Sequence, residues 1–162
     1  MRIVAIGLGG AGCRIVNSLY SADRKSSRVA CVQALAVDID EKTISDLKDL
    51  PANNKICFPA IDPGLPNSAD PSESSATIDI AEVIARIHNF ESGENDAILI
   101  CVGLGGSMAD IAPHIISGLR SSSQELIFGL VTLPCLAEGE KQSAQAADQI
   151  DILSSLMDGM IL

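Results

Sequence analysis

Apolar positions follow two rhythms along this chain. Short, near-continuous apolar runs at 2–6, 29–37, 55–58, 97–102 and 126–132 read as strands. Between them the spacing changes to three and four. Ile15, Val16 and Leu19 share one side of a helix over 12–22, and Ile44 and Leu47 do so over 41–49. Ile80, Val83, Ile84 and Ile87 fall at i, i+3, i+4 and i+7 over 77–90. Ile111, Ile115, Ile116 and Leu119 mark 108–120, and Ala146, Ile150, Leu153 and Met157 mark 138–157. Pro113 then falls in about the first turn of its helix, where a missing N–H is tolerated. "MDGMIL" at 157–162 opens a sixth strand, either the edge of a small sheet or the cut end of something longer.

Strands alternating with helices, each strand apolar on both sides, predict an α/β fold. The expected architecture is three-layered: a parallel, Rossmann-like nucleotide-binding sheet in a single domain, with right-handed crossovers. Ligands on such sheets sit at the carboxyl ends of the strands, so the loops after residues 6, 37, 58, 102 and 132 matter. Residues 59–76 form the one long irregular stretch, with four prolines.

Composition narrows the functions open to such a fold. The length of 162 residues suits one domain, and the apolar set is aliphatic: no Trp, one Tyr and three Phe. A net charge of −10 repels nucleic acid and anionic lipid, so neither is expected as a partner. No apolar stretch reaches the 18 residues of a membrane span. Arg2 precedes only a short apolar run and then glycines, unlike a signal peptide. The five cysteines (Cys13, Cys31, Cys57, Cys101, Cys135) show no CxxC and no metal-ligand spacing. They read as reduced, mostly buried thiols in a cytoplasmic setting.

Four loops carry the chemistry. "GLGGAG" (Gly7, Gly9, Gly10, Gly12) follows the first strand and runs into a helix. Bare backbone there lets N–H groups approach an oxyanion, and the helix start adds partial positive charge. No GxxxxGK[ST] is present, so it is not a Walker A loop. "AVDIDE" follows the second strand; Asp38 can hold a ribose hydroxyl or, through water, a metal, and Asp40 can cap the next helix. "VGLGGSMAD" repeats the strand–glycine–helix logic after strand 97–102. Two phosphate cradles at one edge suggest a polyphosphate gripped from two sides. In "VTLPCLAEGEKQ", Pro134 fixes a turn, and Glu138 opens a helix as a ribose contact or as a favourably placed first-turn acid.

Together, and in this order over nearly the whole chain, these loops resemble the tubulin/FtsZ superfamily of self-assembling GTPases. "IGLGGAGCRIVN" resembles the opening phosphate loop, and "LAVDIDEKTI" is similar to AxNTDxxxL, with Asp40 on the family aspartate and Asp38 on its asparagine. "GLGGSMADIAP" resembles the signature loop GGGTGTGxxP, and "VTLPCLAEGEKQ" resembles VTxPFxxEGxxR, with Glu138 on the ribose-binding glutamate. The resemblance implies a GTP or GDP site, with Mg²⁺ offsetting the phosphate charge. It would be built from Gly9, Gly10, Ala11, Gly12, Cys13, Asp38, Asp40, Gly103, Gly105, Gly106, Ser107, Pro134 and Glu138. It also implies self-association or an FtsZ-like partner, with subunits stacked through the nucleotide.

The chain departs from the family pattern at several places. The signature loop is at least one residue short, and Ser107, Met108, Ala109 and Asp110 replace its Gly-Thr-Gly-Thr part. Asp110 must point away from the phosphates, contact Mg²⁺, or weaken a triphosphate: two unit charges about 4 Å apart cost about 1 kcal/mol in water and about 4 at an effective dielectric of 20. The stretch matching the γ-phosphate loop, 62–76, has a single glycine (Gly64) and three acids (Asp62, Asp70, Glu73). Cys13 stands on a guanine-side asparagine, and Gln142 on an arginine. His88 and His114 read as ordinary helix residues. Past Leu162 the family continues into a central helix, a loop of catalytic acids and a second domain. The expectation is therefore a nucleotide-binding domain over 1–162 that binds without appreciable hydrolysis on its own, as a monomer or weak dimer. Two alternatives stay open: the cofactor domain of an NAD-dependent oxidoreductase, and a scaffold of the same superfamily that binds no nucleotide.

Overall fold

The first apolar run becomes β1 (Ile3–Leu8) and lies near the middle of a six-stranded, all-parallel sheet. The structure is a computed structural model and describes residues 2–26, 29–58, 79–90 and 95–162. The remaining elements are α1 (Gly9–Ser26), β2 (Val32–Asp38), α2 (Glu41–Asp46), β3 (Lys55–Cys57) and α3 (Ile80–Phe90), then β4 (Ala97–Gly103), α4 (Ser107–Ser122), β5 (Leu126–Thr132), α5 (Glu140–Leu156) and β6 (Gly159–Ile161). The strand order is β3-β2-β1-β4-β5-β6. The chain winds outward from β1 in one direction, then crosses back to β4 and winds outward in the other. A crevice opens where the two directions part, between the carboxyl ends of β1 and β4.

Register aligns the loops that matter. Leu8 lies opposite Val37 of β2 and Val102 of β4, and Gly103 lies opposite Thr132 of β5. The chain therefore leaves all four strands at nearly one level, and four loops share one rim.

Helices cover both faces, as the apolar strands require. Cys13, Val16, Ile44, Leu47 and Leu50 pack with Ala5, Ala34, Ala36 and Cys101 on one side. Val83, Ile87, Ala109, Ala112, Ile115, Ile116, Leu119, Ala146 and Leu153 pack with Ile6, Leu35, Ile98, Ile100 and Ile127 on the other. Small strand residues on the first side bring α1 close. A Cβ on Gly12 would lie 2.1 Å from the Cys101 carbonyl oxygen, and one on Gly7 would lie 2.6 Å from the Gly12 oxygen. Over β5 and β6 no helix among the described residues covers that first side: Leu126, Phe128 and Ile161 are exposed.

The α/β architecture is the one expected, with differences at element ends. α1 begins at Gly9, not at residue 12, because Gly9 takes a φ of 71° and turns the chain from strand to helix with no intervening loop. β2 begins at Val32 rather than residue 29, and the Asp23 carboxylate accepts the N–H groups of Cys31, just before it, and of Val32, its first residue. α2 stops at Asp46, since Leu47 leaves helical backbone to reach the core. Pro113 lies inside α4, in its second turn rather than its first, because the helix starts at Ser107. α5 starts at Glu140, after Gly139 (φ 103°) ends a short 3₁₀ turn at Leu136–Glu138. The sixth strand pairs with β5 at the sheet edge. The irregular stretch 59–76, its γ-phosphate-like portion 62–76 and the expected helix start at 77 lie outside the described residues.

Candidate functional site

The rim encloses a cavity of about 430 Å³ between the ends of β1 and β4. Its floor is made by the two glycine turns, and they touch. A Cβ on Gly9 would lie 3.0 Å from the Met108 Cβ, and one on Gly103 would lie 2.9 Å from the Ala11 Cβ. Each turn delivers a helix N-terminus to the same hollow: α1 through Gly9, Gly10 and Ala11, and α4 through Gly106, Ser107 and Met108. First-turn amides lack partners within their own helix, and both helices add partial positive charge there. Gly106, the cap of α4, has no side chain with which to satisfy them. A Cβ on Gly10 would lie 3.8 Å from Thr43 Oγ1 and 4.0 Å from Arg14 Nη2, ordinary contact distances, so a methyl fits there without a clash.

The remaining walls carry acids. Asp38 ends β2 and is 5% exposed. Its Oδ1 accepts the N–H groups of Ile39 (2.7 Å) and Asp40 (3.3 Å); Oδ2 accepts none among the described residues. Burial pushes this carboxyl up from the usual carboxylate value. Asp40 caps α2, with its carboxylate accepting from the Lys42 and Thr43 amides and the Thr43 hydroxyl. The Thr43 hydroxyl bond and the Lys42 amide hold its carboxyl below the usual value. Opposite them stand Thr132, Leu133, Pro134 and Glu138. Glu138 Oε1 accepts the Cys135 N–H at 3.0 Å, which keeps that carboxyl low as well. It closes the 3₁₀ turn before α5 rather than opening α5 itself.

Among the described residues, three carboxylates and no Lys, Arg or His line the cavity. The guanidinium of Arg14 stands just beyond the wall, its Nη2 4.0 Å from the Cβ position of Gly10. Among the described residues no group of three His, Cys, Asp or Glu side chains could hold a metal ion. A divalent ion here would need oxygens from its ligand. Mg²⁺ accepts such an arrangement, since it commonly binds through one or two carboxylates plus phosphates.

Eleven of the thirteen expected site residues line this cavity: Gly9, Gly10, Ala11, Asp38, Asp40, Gly103, Gly105, Gly106, Ser107, Pro134 and Glu138. Gly12 and Cys13 do not. One turn into α1 they face the sheet, where Gly12 permits contact with β4 and Cys13 is fully buried. The Cys13 thiol donates to the carbonyls of Gly7 and Val37, and burial pushes it up to about 12. Asp110 is off the cavity wall too. Its Oδ1 accepts Gln149 Nε2 at 2.6 Å and its Oδ2 accepts Gln145 Nε2 at 2.9 Å, so it faces α5. Thr43, Met108 and Thr132 also line the cavity. Thr43 was findable, because Asp and Thr three positions apart form a capping pair. Met108 and Thr132 carry no chemical signature, and only register places them.

Set against known proteins, residues 2–162 match the model of the Tubulin/FtsZ family, GTPase domain. The tubulin-like protein CetZ4 of Haloferax volcanii is 28% identical over 166 residues, which is 100% of this chain and 42% of that protein. Two solved structures superpose at full probability. CetZ1 from Haloferax volcanii, a GDP-bound monomer, gives a TM-score of 0.77 at 23% identity, covering 99% of this chain and 50% of that one. CetZ2 from Haloferax volcanii, a GTPgS-bound protofilament, gives 0.79 at 21% identity, covering 99% and 48%. The chain thus spans about half or less of the length of these relatives. An oxidoreductase cofactor domain would share the strand order, but the family match sets that alternative aside. A sheet ordered 3-2-1-4-5-6, two glycine turns meeting at its switch point and a family match from Arg2 to Leu162 agree: this chain belongs to the tubulin/FtsZ family, as a GTPase domain.

Proposed function

We propose that the cavity between β1 and β4 binds a guanine nucleotide, GTP or GDP, with its phosphates over the two glycine turns. One observation carries this reading: two helix N-termini, each with bare glycine backbone at or just before its first turn, open into one hollow. Asp38, Asp40 and Glu138 line the same hollow, with Arg14 just beyond its wall, so Mg²⁺ would offset the remaining negative charge and Asp38 is the carboxylate that would hold it beside the phosphates. Hydrolysis by this chain alone is negligible. Of the three described carboxylates at the cavity, those of Asp40 and Glu138 are tied to backbone amides, and Asp38, whose Oδ2 accepts no bond among the described residues, is the one that would hold the metal ion rather than orient a water. The solved relatives named for a GDP-bound monomer and a GTPgS-bound protofilament support both the ligand and self-association, here as a monomer or weak dimer. Five free cysteines suit a reducing, cytoplasmic setting, and no helix among the described residues is long and apolar enough to cross a membrane.

Titration calorimetry with GTP, GDP and NADH tests the reading. Both guanine nucleotides bind in Mg²⁺, and chelating the ion weakens them by about tenfold or more, as several uncompensated charge repulsions would require. Phosphate release from GTP stays at the uncatalysed background. Tighter binding of NADH than of either guanine nucleotide would overturn the assignment. Binding of no nucleotide at all would favour the scaffold.

A further inference from the structure

One side chain outside the cavity reaches the α4 glycine turn at several points. Gln149, on α5, is a polar residue only 4% exposed. Its Oε1 accepts the N–H of Gly105 at 2.7 Å. Its Nε2 donates to the carbonyl of Gly106 at 3.3 Å and to Asp110 Oδ1 at 2.6 Å. The orientation of the amide is determined, because Gly105 N–H needs an acceptor while Gly106 C=O and Asp110 both need a donor. Gly105 takes a φ of 82°, and a Cβ there would lie 2.9 Å from the Gln142 carbonyl oxygen, so the turn packs directly on α5. Leu104 N–H is held by the Thr132 carbonyl, and Ala109 N–H by the Gly106 carbonyl. With the amides of Leu104, Gly105 and Ala109 committed, those of Gly106, Ser107 and Met108 are left for a ligand.

We infer that Gln149 is a positioning residue for anion binding: it sets the shape of the 103–108 turn and holds the Asp110 carboxylate away from the phosphates. This rests on the nucleotide reading of the cavity. Asp110 sits in the first turn of α4, where a side chain can otherwise lean toward the ligand that the helix terminus attracts. Two amide donors from α5, Gln149 and Gln145, keep it turned aside. The glycine turn and the helix behind it thus form one unit, and a carboxylate that would oppose binding becomes part of the support.

The test is calorimetry with GDP and Mg²⁺ on the parent chain, Gln149→Met, Asp110→Asn and the double variant, each checked for a native circular dichroism spectrum. Gln149→Met loses about tenfold in affinity, and Asp110→Asn stays within about twofold of the parent. The double variant binds at least about threefold more tightly than Gln149→Met, because the freed side chain is no longer charged. A purely structural role for Gln149 would not produce that rescue. If Gln149→Met does not fold, Gln149→Glu carries the comparison. Alone it sets two carboxylates in contact and loses about tenfold; combined with Asp110→Asn, which returns a donor to face the new acceptor, it recovers to within about threefold. Affinity unchanged in the single Gln149 variant, or no recovery in the double, overturns the inference. A parent chain that binds neither GDP nor GTP would instead remove the nucleotide reading, and this assignment with it.

Discussion

Gly10 and Gly12 stand two positions apart in α1 and have different neighbours. A methyl on Gly10 would sit at ordinary contact distance from Thr43 and Arg14, while one on Gly12 would collide with a strand carbonyl 2.1 Å away. Gly12→Ala therefore destabilises the fold by about 1–3 kcal/mol or more, seen as a lower urea midpoint. Gly10→Leu leaves that midpoint unchanged and abolishes nucleotide binding by filling the cradle. Asp38 gives a prediction of opposite sign. Its carboxyl is raised by burial, so the ionised form is disfavoured in the folded chain, and the cost is fully present at neutral pH. Asp38→Asn raises the melting temperature of the unliganded domain at neutral pH, as a thermal melt would show. The gain fades as pH falls toward the ordinary carboxylate value. The same variant loses much of the Mg²⁺ dependence of binding. Cys13 and Cys101 act at the other end of the scale. Burial raises both thiols from 9.0 to about 12, so the folded state keeps protons that the unfolded chain releases. Stability is full below about pH 9 and falls progressively toward pH 12, measurable by chemical denaturation across that window.

At the scale of elements, strands were legible wherever apolar runs were continuous, because both faces of a parallel sheet are covered. Helix ends were less so. The start of α1 depends on the φ of one glycine, and that of α4 on where a glycine turn ends, neither of which periodicity reports. That Gly12 and Cys13 fall outside the cavity lining has the same origin: a glycine-rich motif does not say which glycines border a cavity and which meet a strand. The position of Asp110 was undecidable from the chain, since its partners Gln145 and Gln149 lie 35 and 39 residues away on another helix. Edge strand β6 depends on a similar distant contact. Asp158 Oδ2 accepts the Ile127 N–H at 2.7 Å and an Arg120 N–H at 2.6 Å, joining α4, β5 and the turn before β6. Asp158→Ala frees β6, and amide exchange at Met160 and Ile161 speeds up while β1 and β4 stay protected.

At the scale of the molecule, the charge of −10 and the sheet face that no described helix covers over β5 and β6 act against each other. Leu126, Phe128 and Ile161 form a greasy strip in water, and such strips adhere to one another. Repulsion between copies of like net charge opposes that adhesion, and it reaches only about 10 Å at 0.1 M ionic strength and about 3 Å at 1 M. The domain should therefore be best behaved in dilute buffer, the reverse of a protein held apart by hydration alone. Light scattering should show particles growing as sodium chloride rises, and Phe128→Lys should abolish that growth. A bare flank thus makes salt, rather than protein concentration, the first variable to set when handling this domain.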